Sequence, residues 1–423
     1  MASTKNMPRM VELAAQISTA VSEMQERLTA QGAPSPSWAE DSPESLPLDL
    51  FDLRDAVIDA SAELQELLME PMMLIFKFAS ISNLASIDAI SRYHIPDMIP
   101  PGGQISFEDI AAKTGLPKRE VKRLVTNAIS MRIMTSPEPE MVAHTRISKF
   151  LTIPYVNAWV NFESKDTWPA TTRIVDAMEK WPSSEDVSET GFALANGKSV
   201  FEVLATDPPR AMRFAGAMQA LEHVPGYALS DVVKAYDWNS LGHASIVQVG
   251  GQRGQTAIKL AENFENVKFL VQDSEMIIQG AESDVPPKLK GRVEFQEHGL
   301  FEPQTVKADV YFLRMVLRSW SDQNAVNALK AQVPVLRPGV KILIQEAVMP
   351  EPGTIPLWNE RVWRSVDMSL KNFFNGHERY LDEWKTLLAA ADERFVLHRA
   401  HMPGHTVLGM LEVHWDVSRA VGA

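Results

Sequence analysis

The chain has 423 residues, of which 45% are hydrophobic and 22% charged. These proportions are ordinary for a soluble globular protein of about two or three domains. It carries 41 basic and 54 acidic residues, and its net charge of −13 disfavours nucleic acid as a partner. The chain contains no cysteine, which excludes disulfides, thiolate nucleophiles and cysteine-ligated metals. We predict no metal site.

The N-terminal region is predicted to be helical. Apolar residues at helical spacing indicate a helix over residues 8–31, and a linker rich in Pro, Ser and acidic residues follows at 32–47. Helical patterns resume at about Asp49 and continue to about Tyr93. Charged residues and Pro71 interrupt the most apolar stretch, so a buried or dimer-forming helix is favoured over a membrane span. No signal peptide stands out, and we expect a cytoplasmic protein.

Residues 105–150 are predicted to form a helix–turn–helix unit with a β-wing. Ser106 can cap the first helix and Gly115 can end it. The second helix has four basic residues, namely Lys118, Arg119, Lys122 and Arg123. A winged helix often binds DNA, but in so acidic a chain a structural or substrate-capping role is favoured over DNA binding.

The C-terminal part alternates between strands and helices. After a helical region at 151–240, strand patterns recur in the following segments: ASIVQVGG, VKFLVQD, RVEFQEH, ADVYFLR, KILIQEAV, FVLHRAHM and TVLGMLEVHW. Helical segments separate most of them, including TAIKLAENF and YLDEWKTLLAAA. This alternation predicts an α/β fold with a doubly wound, mostly parallel sheet.

The most informative segment is IVQVGGQRGQTAIKL, in which a strand leads into Gly250, Gly251 and Gly254 and then a helix. Such a turn lets backbone N–H groups approach a ligand. The next strand ends at Asp273, whose carboxylate can accept hydrogen bonds from both ribose hydroxyls. These residues alone do not distinguish a nicotinamide cofactor from S-adenosylmethionine (SAM).

From about residue 50 onwards the chain resembles the fungal class I SAM-dependent O-methyltransferases. The resemblance rests on the glycine segment and on five ordered phrases: WPATTRIVDAMEKWP, DPPRAMRFAGAMQ, VYFLRMVLRSWSD, IPLWNE and HERYLDEWKTLLAAAD. It implies a Rossmann-like class I methyltransferase domain preceded by an all-helical, winged-helix dimerisation domain. It also implies SAM as cofactor and a homodimer.

The resemblance also implies which residues hold SAM. These are Gly250, Gly251, Gly254 and Asp273, together with Arg314, Trp320 and the loop Gln296–Phe301, which contains His298. Two positions depart from the family's pattern. Gln248 replaces the usual acid of the first strand, and Gly299 stands where an Asp often contacts the adenine side. Both departures are expected to weaken SAM binding or to alter its pose.

The catalytic position departs more strongly. In the family a His before Trp320 removes the acceptor's proton, and two carboxylates, matched here by Glu346 and Glu378, orient it. This chain has Arg318 at the His position. A guanidinium with a pKa above ~12 cannot act as a base near neutral pH. Another histidine could replace it, or the acceptor could be acidic enough to need none; the candidates are His144, His223, His298 and His377.

With a cation at this position, the chain resembles the O-methyltransferase-like SAM-dependent pericyclases of fungi, which also have one there. This group includes the leporin-pathway enzyme. In that group SAM is not consumed, and the substrates are polyketide-derived pyridones or polyenes. Arg318 would stabilise negative charge on a substrate carbonyl. Ser319 differs from the Asp expected beside that arginine. We therefore expect Arg318, His223, Glu346 and Glu378 to be the catalytic residues.

The substrate pocket is expected between the helical region and the carboxyl edge of the sheet. Its predicted wall residues are Trp168, Met218, Tyr227, Trp363, Asp367, Met368 and Phe374. His223 follows a helix that should face this pocket, where it would donate to a carbonyl or accept a proton.

The sequence leaves three functional hypotheses: a SAM-dependent pericyclase with or without dehydration, an O-methyltransferase with a displaced base, and a non-catalytic SAM-binding dimerisation partner. The predicted domains are an N-terminal helix and linker (1–48), a winged-helix-like dimerisation domain (49–150), a helical connector that lines the pocket (151–240) and a SAM-binding domain (241–423). No membrane or nucleic-acid partner is expected.

Overall fold

A computed structural model of the chain describes residues 7–221, 223–224, 226–402 and 408–420. The chain divides into two compact units. The first comprises residues 1–168, 209–220 and 352–362, and the second comprises residues 169–208, 221–351 and 363–423. The boundaries of the four predicted domains stay a prediction.

The first unit is mainly helical, as the apolar periodicity of its sequence predicts. Its helices are α1 (Arg9–Ala30), α2 (Phe51–Leu68), α3 (Pro71–Ala79), α4 (Asn83–Arg92), α5 (Phe107–Thr114), α6 (Lys118–Ser130), α7 (Arg146–Phe150) and α8 (Pro154–Phe162). Its strands β1 (Gln104–Ser106), β2 (Met134–Thr135) and β3 (Met141–His144) form an antiparallel sheet of order β1-β3-β2.

The helix–turn–helix unit forms as predicted. The Ser106 hydroxyl accepts a hydrogen bond from the Asp109 N–H at 3.0 Å, and Gly115 ends α5 in the left-handed conformation. Isoleucines and valines of α5, α6 and β3 form a buried core. All four basic residues of α6 pair with acids, which are Glu108, Glu120 and Glu140. This pairing offsets the positive surface that phosphate binding would need.

Helix α3 presents an exposed apolar surface. Met72 is 72% exposed and Phe76 is 62% exposed, and Ile75 and Phe78 are exposed to a similar extent. By length and composition alone, the segment Pro71–Arg92 could cross a membrane, with mean hydropathy 1.4 and 17% of its most apolar window buried. However, the backbone leaves the helical conformation at Ser80 between α3 and α4. A span of about 20 residues needs unbroken backbone hydrogen bonding, so the break disfavours a membrane helix.

The second unit contains a seven-stranded sheet. Its strands are β4 (Ala244–Val249), β5 (Val267–Asp273), β6 (Val293–Glu297), β7 (Val310–Arg314), β8 (Lys341–Ala347), β9 (Phe395–His401) and β10 (Leu408–Trp415). Their order is β6-β5-β4-β7-β8-β10-β9. The first five in this order are parallel, and β10 runs antiparallel to β8 and β9. The predicted mixed α/β fold is confirmed.

The remaining helices are α9 (Trp168–Thr171), α10 (Ile174–Lys180), α11 (Gly191–Asn196), α12 (Val200–Thr206), α13 (Pro208–Leu221), α14 (Leu229–Lys234), α15 (Gln255–Asn263), α16 (Glu275–Ile278), α17 (Asp322–Gln332), α18 (Leu357–Phe374) and α19 (Leu381–Ala391). Two cores lie on the sheet: α17 and α19 pack on one face, while α14 and α15 belong to the other core. Because β4 and β7 are adjacent parallel strands, their carboxyl ends bring the glycine turn and the Arg318 turn to the same edge.

Candidate cofactor and catalytic site

The glycine turn joins β4 to α15. Gly250 and Gly254 have φ angles of +66° and +76°, which favour glycine. The N–H groups of Gly250 and Gly251 donate to the Gln272 carbonyl at 2.9 and 3.1 Å. A Cβ atom at Gly251 would come within 2.7 Å of Val271, and one at Gly254 within 2.9 Å of Phe295. The glycines therefore also have a packing role against β5 and β6. The sequence predicted only that they let backbone N–H groups approach a ligand.

Asp273 ends β5 beside this turn. Its Oδ2 accepts a hydrogen bond from the Gln252 N–H at 2.9 Å, and its Oδ1 accepts one from the Ser274 N–H at 2.8 Å. These bonds fix the orientation of the carboxylate, and each oxygen keeps a lone pair for a further donor. The arrangement suits two ribose hydroxyls.

His298 lies next to Asp273, because its N–H donates to the Asp273 carbonyl at 3.0 Å. Its Nε2 is buried and has no hydrogen-bond partner within the described part of the chain, and the same is true of Gln248 Oε1. Buried polar atoms are nearly always paired, so unpaired ones at the end of parallel strands fit a polar ligand. Together with Asp273 and the glycine turn, these atoms fit the nucleoside and amino-acid parts of SAM.

Arg314 is the last residue of β7, and Trp320 follows that strand. Arg314 Nε donates to Gln345 at 3.0 Å, and its Nη2 donates to the Tyr227 carbonyl at 2.6 Å, so this guanidinium supports the backbone at Tyr227. The Trp320 ring stacks on Phe201 at 5.5 Å and meets the edge of Phe301 at 4.9 Å. Their predicted contact with SAM stays a prediction.

Arg318 lies in a turn after β7 and is buried. Its guanidinium pairs with the Glu378 carboxylate and lies 5.9 Å from the centre of the Tyr227 ring. Arg318 Nε is buried and has no hydrogen-bond acceptor among the described residues. The family resemblance places Glu346 and Glu378 beside position 318, and in the structure Glu378 pairs with Arg318 and offsets its charge.

The two carboxylates have different roles. Glu346, on β8, accepts the N–H groups of Val316 and Leu317 through Oε1, both at 2.7 Å, and so holds the Arg318 turn. Burial raises the pKa of Glu346 against the lowering effects of Arg318 and these two bonds. Burial likewise raises the pKa of Glu378 to about 7, although Arg318 acts in the opposite direction. Burial would lower the pKa of Arg318, but Glu378 and Tyr227 outweigh it and raise it, so Arg318 stays a cation.

Arg379, which the sequence analysis did not single out, completes this arrangement. It is fully buried and donates to the carbonyls of Leu317 and Trp320 at 3.0 and 2.9 Å and to Asp322 at 2.8 Å. No periodicity marks a buried arginine, because its partners are backbone carbonyls of a distant turn. Its position next to Glu378 was the one available signal.

The histidines contribute less than the sequence suggested. His223 is exposed, and its proposed catalytic role stays a prediction. His144 is buried in the winged-helix unit, where its ring nitrogens contact Ser148 and the Ile99 carbonyl. His377 Nε2 lies 3.5 Å from Asp322, and burial lowers its pKa.

The predicted pocket residues divide between the two units. Trp168 and Met218 are half-buried in the first. In the second unit Tyr227 is buried and Trp363 packs against the same cluster, Asp367 accepts the Glu378 N–H at 2.7 Å, and Phe374 lies 5.8 Å from Phe201. Met368 is exposed. A shared substrate pocket stays a prediction.

Comparisons with known proteins identify the family to which the chain belongs. The sequence profile of the O-methyltransferase domain matches residues 181–392. The chain is 40% identical over 414 residues to O-methyltransferase PaMT of Phomopsis amygdali, covering 97% of each protein. It matches the structure of LepI in complex with SAM with a TM-score of 0.74 at 21% identity, covering 95% of this chain and 99% of LepI.

A structure described as a pericyclic reaction enzyme matches with a TM-score of 0.72 at 21% identity, covering 95% of this chain and all of that one. At this identity the structural matches show the fold. Together with the sequence matches they confirm the predicted resemblance, fold and cofactor. The chain belongs to the O-methyltransferase family, as a SAM-dependent enzyme of the kind found in fungal secondary metabolism.

Proposed function

We propose that the protein is a SAM-dependent pericyclase that acts on a polyketide-derived pyridone or polyene. The observation that carries this proposal is Arg318, a buried donor with an unpaired Nε–H at the position of the family's proton acceptor. An unsatisfied buried donor is costly, and a substrate carbonyl would satisfy it. A donor to a conjugated carbonyl accelerates a pericyclic reaction, which itself requires no base.

The chain's own residues account for the proposed catalysis as follows. Arg318 donates to a carbonyl conjugated with the reacting alkene and stabilises the negative charge that develops on its oxygen. Glu346 holds the turn that carries Arg318 through two backbone bonds. SAM, when bound, supplies a second positive charge at its sulfonium. The glycine turn, Asp273 and His298 are the residues that would hold it.

The test uses a synthetic 4-hydroxy-2-pyridone with a polyene side chain, incubated with the protein and SAM. A product of unchanged mass, or lighter by one water, supports the proposal. Arg318→Ala should slow its formation by ~10²–10³-fold, the typical cost of losing one preorganised donor. Arg318→Lys should be intermediate because it keeps the charge and loses the second donor. Stoichiometric S-adenosylhomocysteine with a methylated product would overturn the proposal.

O-methyl transfer is the second candidate, and two observations favour it. The relative PaMT is named an O-methyltransferase. In addition, Glu378 contacts Arg318 through Oε1, whereas its Oε2 accepts no hydrogen bond from a described residue, and its pKa is raised to about 7, which suits a general base near neutral pH. In this mechanism the hydroxyl proton of a phenol or enol moves to Glu378, and Arg318 stabilises the oxyanion.

We also propose that the working form is a homodimer that buries α3. The exposed surface consists of Leu68, Met72, Met73, Ile75, Phe76, Phe78 and Ile81. Monomeric proteins rarely expose so continuous an apolar surface, and an obligate interface buries more than ~2,000 Å² in total. Sedimentation should show a dimer at micromolar concentration, and Phe76→Asp should produce monomer. A stable wild-type monomer would contradict the proposal.

A further inference from the structure

The turn Val316–Trp320 is held through its backbone by two buried charged side chains. From β8, Glu346 accepts the N–H groups of Val316 and Leu317. From the segment before α19, Arg379 donates to the carbonyls of Leu317 and Trp320. All four bonds go to main-chain atoms, so they fix the backbone of the turn that carries Arg318.

Arg379 is well suited to a fixed role. Its side chain has no exposed surface, its Nε donates to Asp322 at 2.8 Å, and its guanidinium lies 5.4 Å from the centre of the Trp384 ring. Burying a guanidinium costs free energy unless its donors are satisfied. Here two of its three bonds go to carbonyls of a single turn.

Gly376 brings this segment close to the turn. A Cβ atom at Gly376 would overlap the Arg318 carbonyl oxygen and come within 3.0 Å of the Ser319 carbonyl carbon. Only a residue without a side chain allows the segment Gly376–Arg379 to lie against the turn. The same segment carries Glu378, the partner of Arg318.

We infer that Arg379 is a positioning residue, which together with Gly376 sets the distance between the Arg318 guanidinium and the Glu378 carboxylate. Its effect on catalysis rests on the proposed role of Arg318. Its effect on the geometry of the pair does not depend on which reaction the enzyme performs.

The experiment compares Arg379→Lys and Gly376→Ala with Arg364→Lys, a matched control. Arg364 also donates to a carbonyl, that of Pro350, and to the Tyr380 hydroxyl, but the contacts described for it lie outside the turn. Arg379→Lys keeps the positive charge near Glu378, and Gly376→Ala changes no charge. Arg379 itself favours the Glu378 carboxylate, so a shift in Arg379→Lys counts as movement of the Arg318–Glu378 pair only where Gly376→Ala shows it too.

The readout is the infrared carbonyl band of protonated Glu378, assigned by its absence in Glu378→Gln and followed from pH 5 to 9 in the intact protein. An opposite charge at close range lowers a carboxyl pKa by about 1–3 units, so displacing Arg318 should move the midpoint upward by about one unit or more. The control should keep the wild-type midpoint. A merely structural contribution would lower the melting temperature and leave the midpoint in place.

If Arg379→Lys does not fold, Gly376→Ala decides the question. Folded variants that titrate as the wild type does would overturn the inference. The inference and the proposed function can fail separately. If the Glu378 midpoint shifts upward in the variants but the wild type forms no cyclised product, the inference is supported and the proposed pericyclase is refuted. Where cyclisation is measured, Arg379→Lys should slow it at least ten-fold with nearly unchanged SAM affinity by calorimetry.

Discussion

The two candidate reactions predict opposite pH dependences, because both depend on the protonation state of Glu378. Its pKa of about 7 lies roughly 2.5 units above its ordinary 4.5. At about 1.4 kcal/mol per unit, burial and its neighbours disfavour the carboxylate by roughly 3 kcal/mol. The groups that act on it are Arg318, Glu346, Asp367 and Arg379, of which the two arginines favour the carboxylate.

Below pH 7 Glu378 is neutral, and the charge of Arg318 is available to a substrate carbonyl. As the pH rises through 7, Glu378 ionises and neutralises Arg318, so the fraction of protein with an unpaired cation falls by up to about ten-fold per unit. Cyclisation should therefore be fastest on the acid side. Methyl transfer with Glu378 as base should increase over the same range, because only the carboxylate accepts a proton.

The assay measures initial rates from pH 5.5 to 8.5 with saturating SAM and separates products by mass. Glu378→Gln provides the control, because it cannot ionise. In this variant cyclisation should lose its dependence around pH 7, and methyl transfer should fall at every pH. A cyclisation rate that increases with pH in the wild type, or a Glu378→Gln variant with an unchanged profile, would refute this reasoning.

Two further predictions concern cofactor binding and stability. Asp273→Ala should weaken SAM binding at least ten-fold in calorimetry, because each hydrogen bond to a charged group contributes about 1.5–3 kcal/mol. The control is Glu294→Gln on the exposed face of β6. Equal SAM affinities of Asp273→Ala and the wild type would contradict the ribose assignment. Burial raises the pKa of Glu163 to about 7, so the folded state keeps this proton between pH 4.5 and 7 while the unfolded state loses it. This proton on Glu163 contributes up to about 3 kcal/mol to the free energy of unfolding. The contribution is complete below pH 4.5 and is lost as the pH rises through 7. Urea unfolding of Glu163→Gln should show a correspondingly smaller loss of stability between pH 5 and 8 than the wild type, and parallel curves would contradict the shift.

Features that depend on local sequence were predictable. The alternation of apolar strands and helices identified the parallel sheet, and Ser106 and Gly115 marked the ends of α5 because caps act within one turn. The glycine turn and Asp273 were also predictable, because each directly follows or ends a strand and adjacent parallel strands end at one edge of the sheet. These inferences need no knowledge of side-chain partners.

The partners of the charged groups were predictable only in part. The family resemblance matched Glu346 and Glu378 to the two carboxylates beside position 318, but Arg318 precedes Glu378 by 60 positions and spacing alone does not show that the two side chains form a buried pair. The structure shows that Glu378 pairs with Arg318 and offsets its charge, whereas Glu346 binds the backbone of the turn. Arg379 was missed because an arginine that binds backbone carbonyls leaves no periodic pattern. His223 lies beyond the end of α13, so the apolar pattern of that helix does not specify its exposure.

If the protein is the proposed pericyclase, the pairing of Arg318 with Glu378 accounts for the absence of methyl transfer by removing the family's base. The proposed pericyclase retains both carboxylates and differs from the family's pattern at Arg318 and Ser319. The double substitution Arg318→His and Ser319→Asp changes both of these positions. It would place an imidazole beside Glu378, whose oxygens are then available to accept its N–H. Glu346 and Arg379 would still hold the backbone of the turn, because their bonds go to main-chain atoms. We therefore expect the double variant to form S-adenosylhomocysteine and a methyl ether from a simple phenol at least ten-fold faster than Arg318→Gln, which removes the cation without adding a base. Equal rates for the two variants would mean that the missing base is not what limits methyl transfer here.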